Sequence, residues 1–102
     1  MYLYNTTFIV ANSEREWWHE WMRGMYIPTI RDIAPMVNFE AYSIDQNDSP
    51  DTKNFSCQWR CESLKELGEI DMYSKSLCSR MMKEKGEKCL FFSTMMKSVD
   101  FE

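Results

Sequence analysis

The sequence predicts a single α+β domain in which four strands and two helices follow one another in the order βαββαβ. Residues 2–10, 37–44, 55–62 and 89–99 are rich in β-branched and aromatic side chains, and the first three alternate in polarity as half-buried strands do. The two segments between them with helical periodicity carry apolar residues three and four positions apart. The 102 residues are the size of one domain, so we expect one domain over residues 1–102.

The first helix is predicted to follow the first strand directly. Ser13 and Glu16 have the spacing of a capping box, which predicts a helix start at Ser13. Pro28 predicts a kink or a restart of this helix, and Pro35 predicts its end. The predicted apolar face consists of Trp17, Trp18, Trp21, Met22 and Met25.

The third strand has the cleanest alternation in the chain. Its predicted inner residues are Phe55, Cys57, Trp59 and Cys61, and its outer residues are Ser56, Gln58, Arg60 and Glu62. The polar stretch 45–51 predicts the loop that separates this strand from the second one.

The second helix is predicted between a capping box and a glycine. Ser63 and Glu66 form the box, and Gly86 is a typical C-terminal cap. Its predicted apolar side consists of Leu67, Ile70, Tyr73, Leu77 and Met81. The complete order of elements is that of the ferredoxin-like fold, a four-stranded antiparallel sheet with both helices on one face.

Composition and charge restrict the classes of function. The net charge is −4 and the basic residues are scattered, so we expect no nucleic-acid partner. No apolar run reaches about 18 residues and no signal peptide is recognisable, so we expect a cytoplasmic protein without a membrane partner. Cysteines at 57, 61, 78 and 89 are then expected to be free thiols. Their spacing and the single histidine predict no metal site, and we expect no cofactor.

The second face of the sheet predicts a homodimer. Two helices cover only one face, so Asn5, Thr7, Gln58 and Arg60 should form a polar cluster on the other. The last strand adds aromatic and methionine side chains around that cluster. Exposed apolar patches of this kind are typical of interfaces, and a two-fold pairing of open sheet faces is the simplest closed solution.

Several short motifs resemble the bacterial domain-of-unknown-function family numbered 4286. The motifs are Tyr4-Asn5-Thr6-Thr7, Trp18-x-x-Trp21-Met22 followed by Ile27-Pro28, Gln58 followed by an aromatic residue, and Gly86-x-Lys88-x-x-x-Phe92-Ser93-Thr94. The resemblance covers nearly the whole chain and implies the fold of the dimeric α/β-barrel superfamily. That superfamily includes cofactor-free monooxygenases, isomerases and haem enzymes, so the fold does not choose a chemistry.

Two residues depart from the pattern of that family. Tyr26 stands where the pattern has a histidine, and Ser93 stands where it often has an arginine. If those residues carry a family activity, the resemblance implies that this chain has lost it or acts differently.

The candidate site residues are Asn5, Trp18, His19, Trp21, Tyr26, Gln58 and Trp59. The tryptophans could line a pocket for a small apolar or aromatic ligand, and their spacing equally predicts core. His19 could act as a general base or be an ordinary helix residue. Asn5 and Gln58 could bind a carbonyl group or satisfy each other.

Two hypotheses follow, and the sequence does not decide between them. One is a non-catalytic homodimer that acts as an interaction or regulatory module, because no matched acid–base or nucleophile–base pair is recognisable. The other is a small-molecule-binding protein or cofactor-free enzyme, which requires an open pocket of about 300 Å³ or more. RNA binding by Tyr4 and Phe55 is a remote third alternative.

Overall fold

The fold is a four-stranded antiparallel sheet with helices on one face. The computed structural model describes residues 1–45 and 49–102, so the middle of the predicted loop, 46–48, lies outside the described residues. The elements are β1 (Tyr2–Ala11), a 3₁₀ turn (Asn12–Glu14), α1 (Arg15–Trp21), a π-helical turn (Met22–Tyr26), α2 (Ile27–Ile33), β2 (Asn38–Ile44), β3 (Thr52–Cys61), α3 (Leu64–Lys85), a 3₁₀ turn (Gly86–Lys88) and β4 (Cys89–Lys97). The strand order is β2-β3-β1-β4, which confirms the ferredoxin-like prediction.

The pairing register assigns every strand residue to a face. Tyr4 pairs with Trp59 and Phe8 pairs with Phe55, and all four side chains are buried under the helices. The alternation predicted for β3 is therefore confirmed, because its aromatic and cysteine side chains form the centre of the core.

The start of the first helix differs from the prediction. Ser13 makes no capping hydrogen bond and lies inside the 3₁₀ turn, and α1 begins at Arg15. Asn12 instead holds this part of the chain in place through two hydrogen bonds. Its backbone N–H donates to the Asp51 carbonyl at 2.9 Å, and its Nδ2 donates to the Pro50 carbonyl at 2.9 Å. A short sequence motif was overridden here by contacts with a distant loop.

We call the three successive segments over residues 15–33 the first rod, and its middle is a π-helical turn. Its buried residues are four apart: Trp18, Met22, Tyr26 and Ile30. In an α-helix each such step drifts by about 40° around the axis. The wider π turn reduces that drift, so all four side chains stay on the sheet. Pro28 then lies in the first turn of α2, where its missing N–H is tolerated, as the predicted restart requires.

The capping box and the terminating glycine of α3 are confirmed. Ser63 Oγ accepts from the Glu66 backbone N–H at 3.2 Å, while the Glu66 carboxylate accepts from the Glu62 N–H. Gly86 ends the helix at a φ of 62°, which favours glycine.

The predicted apolar side of α3 was wrong at one position. Tyr73 is 40% exposed, whereas Ser74 and Cys78 are buried. The Ser74 hydroxyl is hydrogen-bonded to the Tyr26 hydroxyl at 2.9 Å, and this bond makes a polar residue acceptable in the interior.

Candidate functional site

A cleft of about 300 Å³ lies between the first rod and strands β2 and β3. We call it the β2 cleft. Its lining residues are Trp18, His19, Met22, Arg23, Ile27, Phe39, Ala41, Tyr42, Ser43, Phe55 and Cys57. The walls are mostly aromatic and aliphatic, which is typical of small-molecule sites.

The cleft exists because the edge strand β2 is incompletely covered. Ala41 pairs with Cys57 and Ser43 pairs with Phe55, so both small residues face the helical side of the sheet. They are nevertheless exposed, whereas their partners on β3 are buried. Two small side chains at the edge therefore leave a space that larger ones would fill.

The polar groups of the cleft lie at its mouth. Arg23 binds Glu20 at 2.6 Å, and Ser43 Oγ donates to Asp45 at 3.2 Å. Tyr42 and Glu40 alternate with Ala41 and Ser43 along β2, so the Tyr42 hydroxyl donates to the Glu40 carboxylate on the sheet face away from the helices. His19 packs edge-on against the rings of Trp18 and Phe55, at centroid distances of 5.1 and 5.6 Å.

Cys57 is the thiol of the cleft wall. Burial raises its pKa to about 12, and the neighbouring thiol of Cys78 adds to the shift. A thiol with so high a pKa is a poor nucleophile near neutral pH. We therefore assign it a packing role.

Two of the seven candidate residues line the β2 cleft. Trp18 is 3% exposed and stacks on Phe55 with a centroid distance of 4.5 Å and an interplanar angle of 22°. It is at once core and cleft wall, so the two readings of this residue are compatible. His19 is exposed at the mouth and also borders two polar grooves along the first rod.

Tyr26 and Trp59 lie in the closed interior. Both are fully buried, and Trp59 Nε1 donates to the Tyr26 hydroxyl at 3.3 Å. Burial raises the pKa of Tyr26 well above its ordinary value. Trp21 lies on the opposite side of the first rod, where it borders a groove of about 180 Å³ with residues of α3.

Asn5 and Gln58 lie on the sheet face that no helix covers. The structure thus does not bring the seven candidates into one cavity of a single chain. The Ser56 hydroxyl donates to Asn5 Oδ1 at 2.5 Å, Gln58 Nε2 donates to Ser56 Oγ at 3.2 Å, and Asn5 Nδ2 donates to Thr7 Oγ1 at 3.2 Å. Asn5 and Gln58 are directly paired across β1 and β3, so they satisfy each other through Ser56.

The rest of this open sheet face is divided by polarity. Arg60 and Glu40 form an ion pair at 3.2 Å on the β2 side. The β4 side is apolar, with Phe92 at 55% and Met96 at 40% exposure beside Leu3, Ile9 and Leu90. An exposed apolar area beside a hydrogen-bonded polar area is typical of an interface.

The two residues that the RNA-binding alternative needs for stacking on bases are not accessible. Tyr4 and Phe55 are buried under the helices and do not reach the open face. That correction follows from the side-chain period of two, which places both residues on the covered face.

The two residues that depart from the family pattern differ in burial, since Tyr26 is fully buried and Ser93 is partly buried. Tyr26 is in the buried hydrogen-bonded group described above, and Ser93 Oγ is 3.0 Å from Thr6 Oγ1. In this chain both positions hold neutral hydrogen-bonding groups.

All four cysteines are free and buried, as predicted. Over residues 1–45 and 49–102, no three His, Cys, Asp or Glu side chains are grouped to hold a metal ion. None of the helices within those residues has the length and apolar character needed to cross a membrane.

Most of the cleft was missed by sequence reasoning, including Arg23, Phe39 and Ala41. A signal was present, because buried residues four apart in the first rod imply a second row one position later: His19, Arg23 and Ile27. Those three all line the cleft.

Comparison with known proteins identifies the family and the fold. Residues 1–99 match the family model described as a domain of unknown function (DUF4286), which confirms the resemblance seen in the motifs. No curated protein matches the chain.

Three solved structures illustrate the shared fold. A monooxygenase from Streptomyces coelicolor in complex with nanaomycin D is 18% identical, with a TM-score of 0.60 over 97% of this chain and 88% of that one. A dimeric ferredoxin-like protein from an uncultured marine organism is 13% identical, with a TM-score of 0.55 over 100% and 96%. An "ethd" family protein from Bacillus halodurans is 12% identical, with a TM-score of 0.60 over 97% and 100%. Likeness at this level of identity shows the fold alone.

Proposed function

Since this chain belongs to the DUF4286 family of unknown function, we propose its role from its own surface: a homodimer that binds a small apolar or aromatic molecule in the β2 cleft. The observation that carries the proposal is the cleft itself, about 300 Å³ of space with aromatic and aliphatic walls. That volume is in the range of small-molecule sites. The groove between the first rod and α3 is smaller, about 180 Å³, so the β2 cleft is the larger of these two spaces on the helical side.

The fold is compatible with such a ligand. The Streptomyces coelicolor monooxygenase holds nanaomycin D on the same fold. We do not extend its reaction to this chain. The contacts of His19 in the described part of the chain are with aromatic rings, and the Cys57 thiol is protonated near neutral pH.

The cleft is tested with a neutral fluorescent probe, N-phenyl-naphthylamine. We expect its fluorescence to rise on binding to the wild-type protein and to stay low with Ala41→Trp, which fills the cleft. Ser76→Trp adds the same side chain at an exposed position of α3 and serves as the control. Equal probe binding by both variants would overturn the proposal.

The homodimer is proposed to form through the open sheet face. Its apolar half is centred on Phe92 and Met96, and a two-fold axis would bring this patch against its own copy. A structural relative of the same fold is itself dimeric.

Native mass spectrometry tests the assembly and reports any co-purified ligand as extra mass. We expect a dimer for the wild type and a monomer for Phe92→Glu. Met72→Glu places the same charge at an exposed apolar position of α3 and should remain dimeric. A wild-type monomer, or a dimer that survives Phe92→Glu, contradicts this assembly.

A second candidate is a homodimer that acts only as an interaction or regulatory module. The exposed apolar half of the open face favours it, because exposed apolar surfaces are typical of protein interfaces whether or not the cleft is used. Failure of probe binding together with a stable dimer would make this candidate the better one.

A further inference from the structure

We propose that the ligand of the β2 cleft is a small aromatic acid whose anionic group is bound by Arg23. This inference rests on the proposed binding function and adds the chemical class of the ligand. It is carried by the position of one guanidinium group at the mouth of an apolar cleft.

The π-helical turn places Arg23 where it can meet a ligand. Arg23 follows His19 and precedes Ile27 at intervals of four, and all three line the cleft, while Met22 packs into the core wall. Single π-helical turns within α-helices are uncommon and frequently occur at functional sites. The local geometry thus aligns a cation with the apolar wall instead of letting it rotate away.

The charges of the lining favour an anion, and the two carboxylates beside the mouth each have a cation of their own: Asp45 pairs with Lys53 at 3.4 Å, and Glu20 pairs with Arg23. Arg23 is the one permanently charged side chain among the described lining residues, and none of those residues is acidic. A guanidinium has five N–H donors in a planar fork that matches a carboxylate or sulfonate. A cationic ligand would meet Arg23 as a like charge.

Glu20 is the existing partner of Arg23, and it leaves the guanidinium available. One guanidinium nitrogen of Arg23 lies 2.6 Å from Glu20 Oε1, and the two side chains are 71% and 75% exposed. An exposed pair of this kind contributes little to stability, so a ligand anion can share or replace it.

The walls specify the aromatic body of the ligand. Trp18 and Phe55 form one stacked wall, and Phe39 packs on Trp59 at 4.5 Å to form the base on the β2 side. A flat ring system can lie among these side chains with its acidic group directed to Arg23.

The test compares two probes with the same aromatic skeleton, anilinonaphthalene sulfonate and the neutral N-phenyl-naphthylamine. We expect the wild type to bind the sulfonate at least about tenfold more tightly, as a charge-assisted contact implies. Arg23→Gln should abolish this preference, because it replaces the guanidinium with a neutral side chain. Arg31→Gln removes an exposed arginine of α2 outside the cleft lining and should keep the preference.

Each other outcome has a definite meaning. Equal affinities for the two probes, or a preference that survives Arg23→Gln, overturns the acid assignment while the binding cleft stands. Sulfonate binding that persists in Ala41→Trp shows a site elsewhere and also overturns the assignment. Failure of both probes to bind the wild type contradicts the proposed function itself.

Discussion

The two sides of the first rod use aromatic side chains in opposite ways. On the side of α3, Trp17 and Trp21 stack at 6.0 Å and Lys85 lies 4.4 Å above the Trp17 ring, next to its ion partner Glu14. We call this group of four residues the α3 flank. On the other side, aromatic rings surround the β2 cleft without filling it. A high aromatic content therefore does not determine how completely a layer of the fold is closed.

The neighbours of the aromatic residues explain the difference. In the α3 flank, Lys85 of α3 lies over Trp17, and a smaller groove of about 180 Å³ remains beside Trp21. At the cleft, the opposing strand contributes Ala41 and Ser43. The size of the partner residue decides whether an aromatic side chain is core or binding surface.

Two isoleucines provide the comparison in which we expect the greatest change in the free energy of unfolding. Ile70→Ala should lower the free energy of unfolding by about 2–5 kcal/mol, because Ile70 is fully buried and the substitution leaves a cavity. Ile27→Ala at the partly buried cleft wall should cost less than half of that. Urea unfolding followed by tryptophan fluorescence measures both, and equal losses would show that the cleft is closed in solution.

A smaller effect is expected from two tyrosine hydroxyls. Tyr26→Phe removes the partner of both Trp59 Nε1 and Ser74 Oγ, and we expect a loss of about 1–3 kcal/mol. Tyr42→Phe at the exposed cleft rim should change stability by no more than about 0.5 kcal/mol. Thermal or urea unfolding of the two variants checks this, and a neutral Tyr26→Phe would mean that the interior hydroxyl pair is not formed.

Two ion pairs provide the next comparison. Lys85 and Glu14 are 3.0 Å apart and only 20% and 16% exposed, so Glu14→Gln should cost about 1–2 kcal/mol. Glu20→Gln breaks the exposed pair with Arg23 and should cost about 0–1 kcal/mol. Unfolding at low and at high salt measures both, and the comparison fails if Glu20→Gln is the more damaging change.

The smallest effect is expected from a change of pH near neutrality, and the loss of stability grows as the solution becomes alkaline. Burial raises the thiol pKa of both Cys57 and Cys78 to about 12. Both thiols therefore bind their proton more tightly in the folded state than in the unfolded state, which stabilises the fold while they are protonated. The stabilisation is complete below the unfolded thiol pKa of about 8.5 and is lost as pH rises toward 12. Urea midpoints from pH 7 to 10.5 should fall on the alkaline side, and a midpoint that rises would contradict the sign.

The strands and the faces of β1 and β3 could be predicted from the sequence because the side-chain period of two is a local property. The Ser63 cap and the Gly86 terminus were predicted for the same reason. The Ser13 cap failed because Asn12 binds a loop that lies far away in sequence. Tyr73 was predicted to lie on the buried side of α3, but Ser74 is buried in its place. The reason is the hydrogen bond between the hydroxyls of Ser74 and Tyr26, which lies on another element.

The candidate site was predicted less well than the fold. Trp18 and His19 were found because they share one rod with a strong apolar pattern. Asn5 and Gln58 lie on the open face, as their own strand period requires, so within one chain they do not join Trp18 and His19 in the cleft. The space beside Ala41 exists because β2 has small side chains there. A pattern of apolar residues predicts which side chains are buried, but it does not predict a space that small side chains leave empty.

The π-helical turn also means that the first rod contains one residue more than a regular α-helix would need to keep the same side on the sheet. In a regular α-helix, three four-residue steps of about 40° each would carry Ile30 about 120° away from the direction of Trp18. Deleting one residue within Met22–Tyr26 would let the backbone return to a regular α-helix while Ile30 still points to the core. Inserting a residue at the same place has no such compensation, because it would turn every later side chain by about 100°. We therefore expect this segment to accept a single deletion more readily than a single insertion.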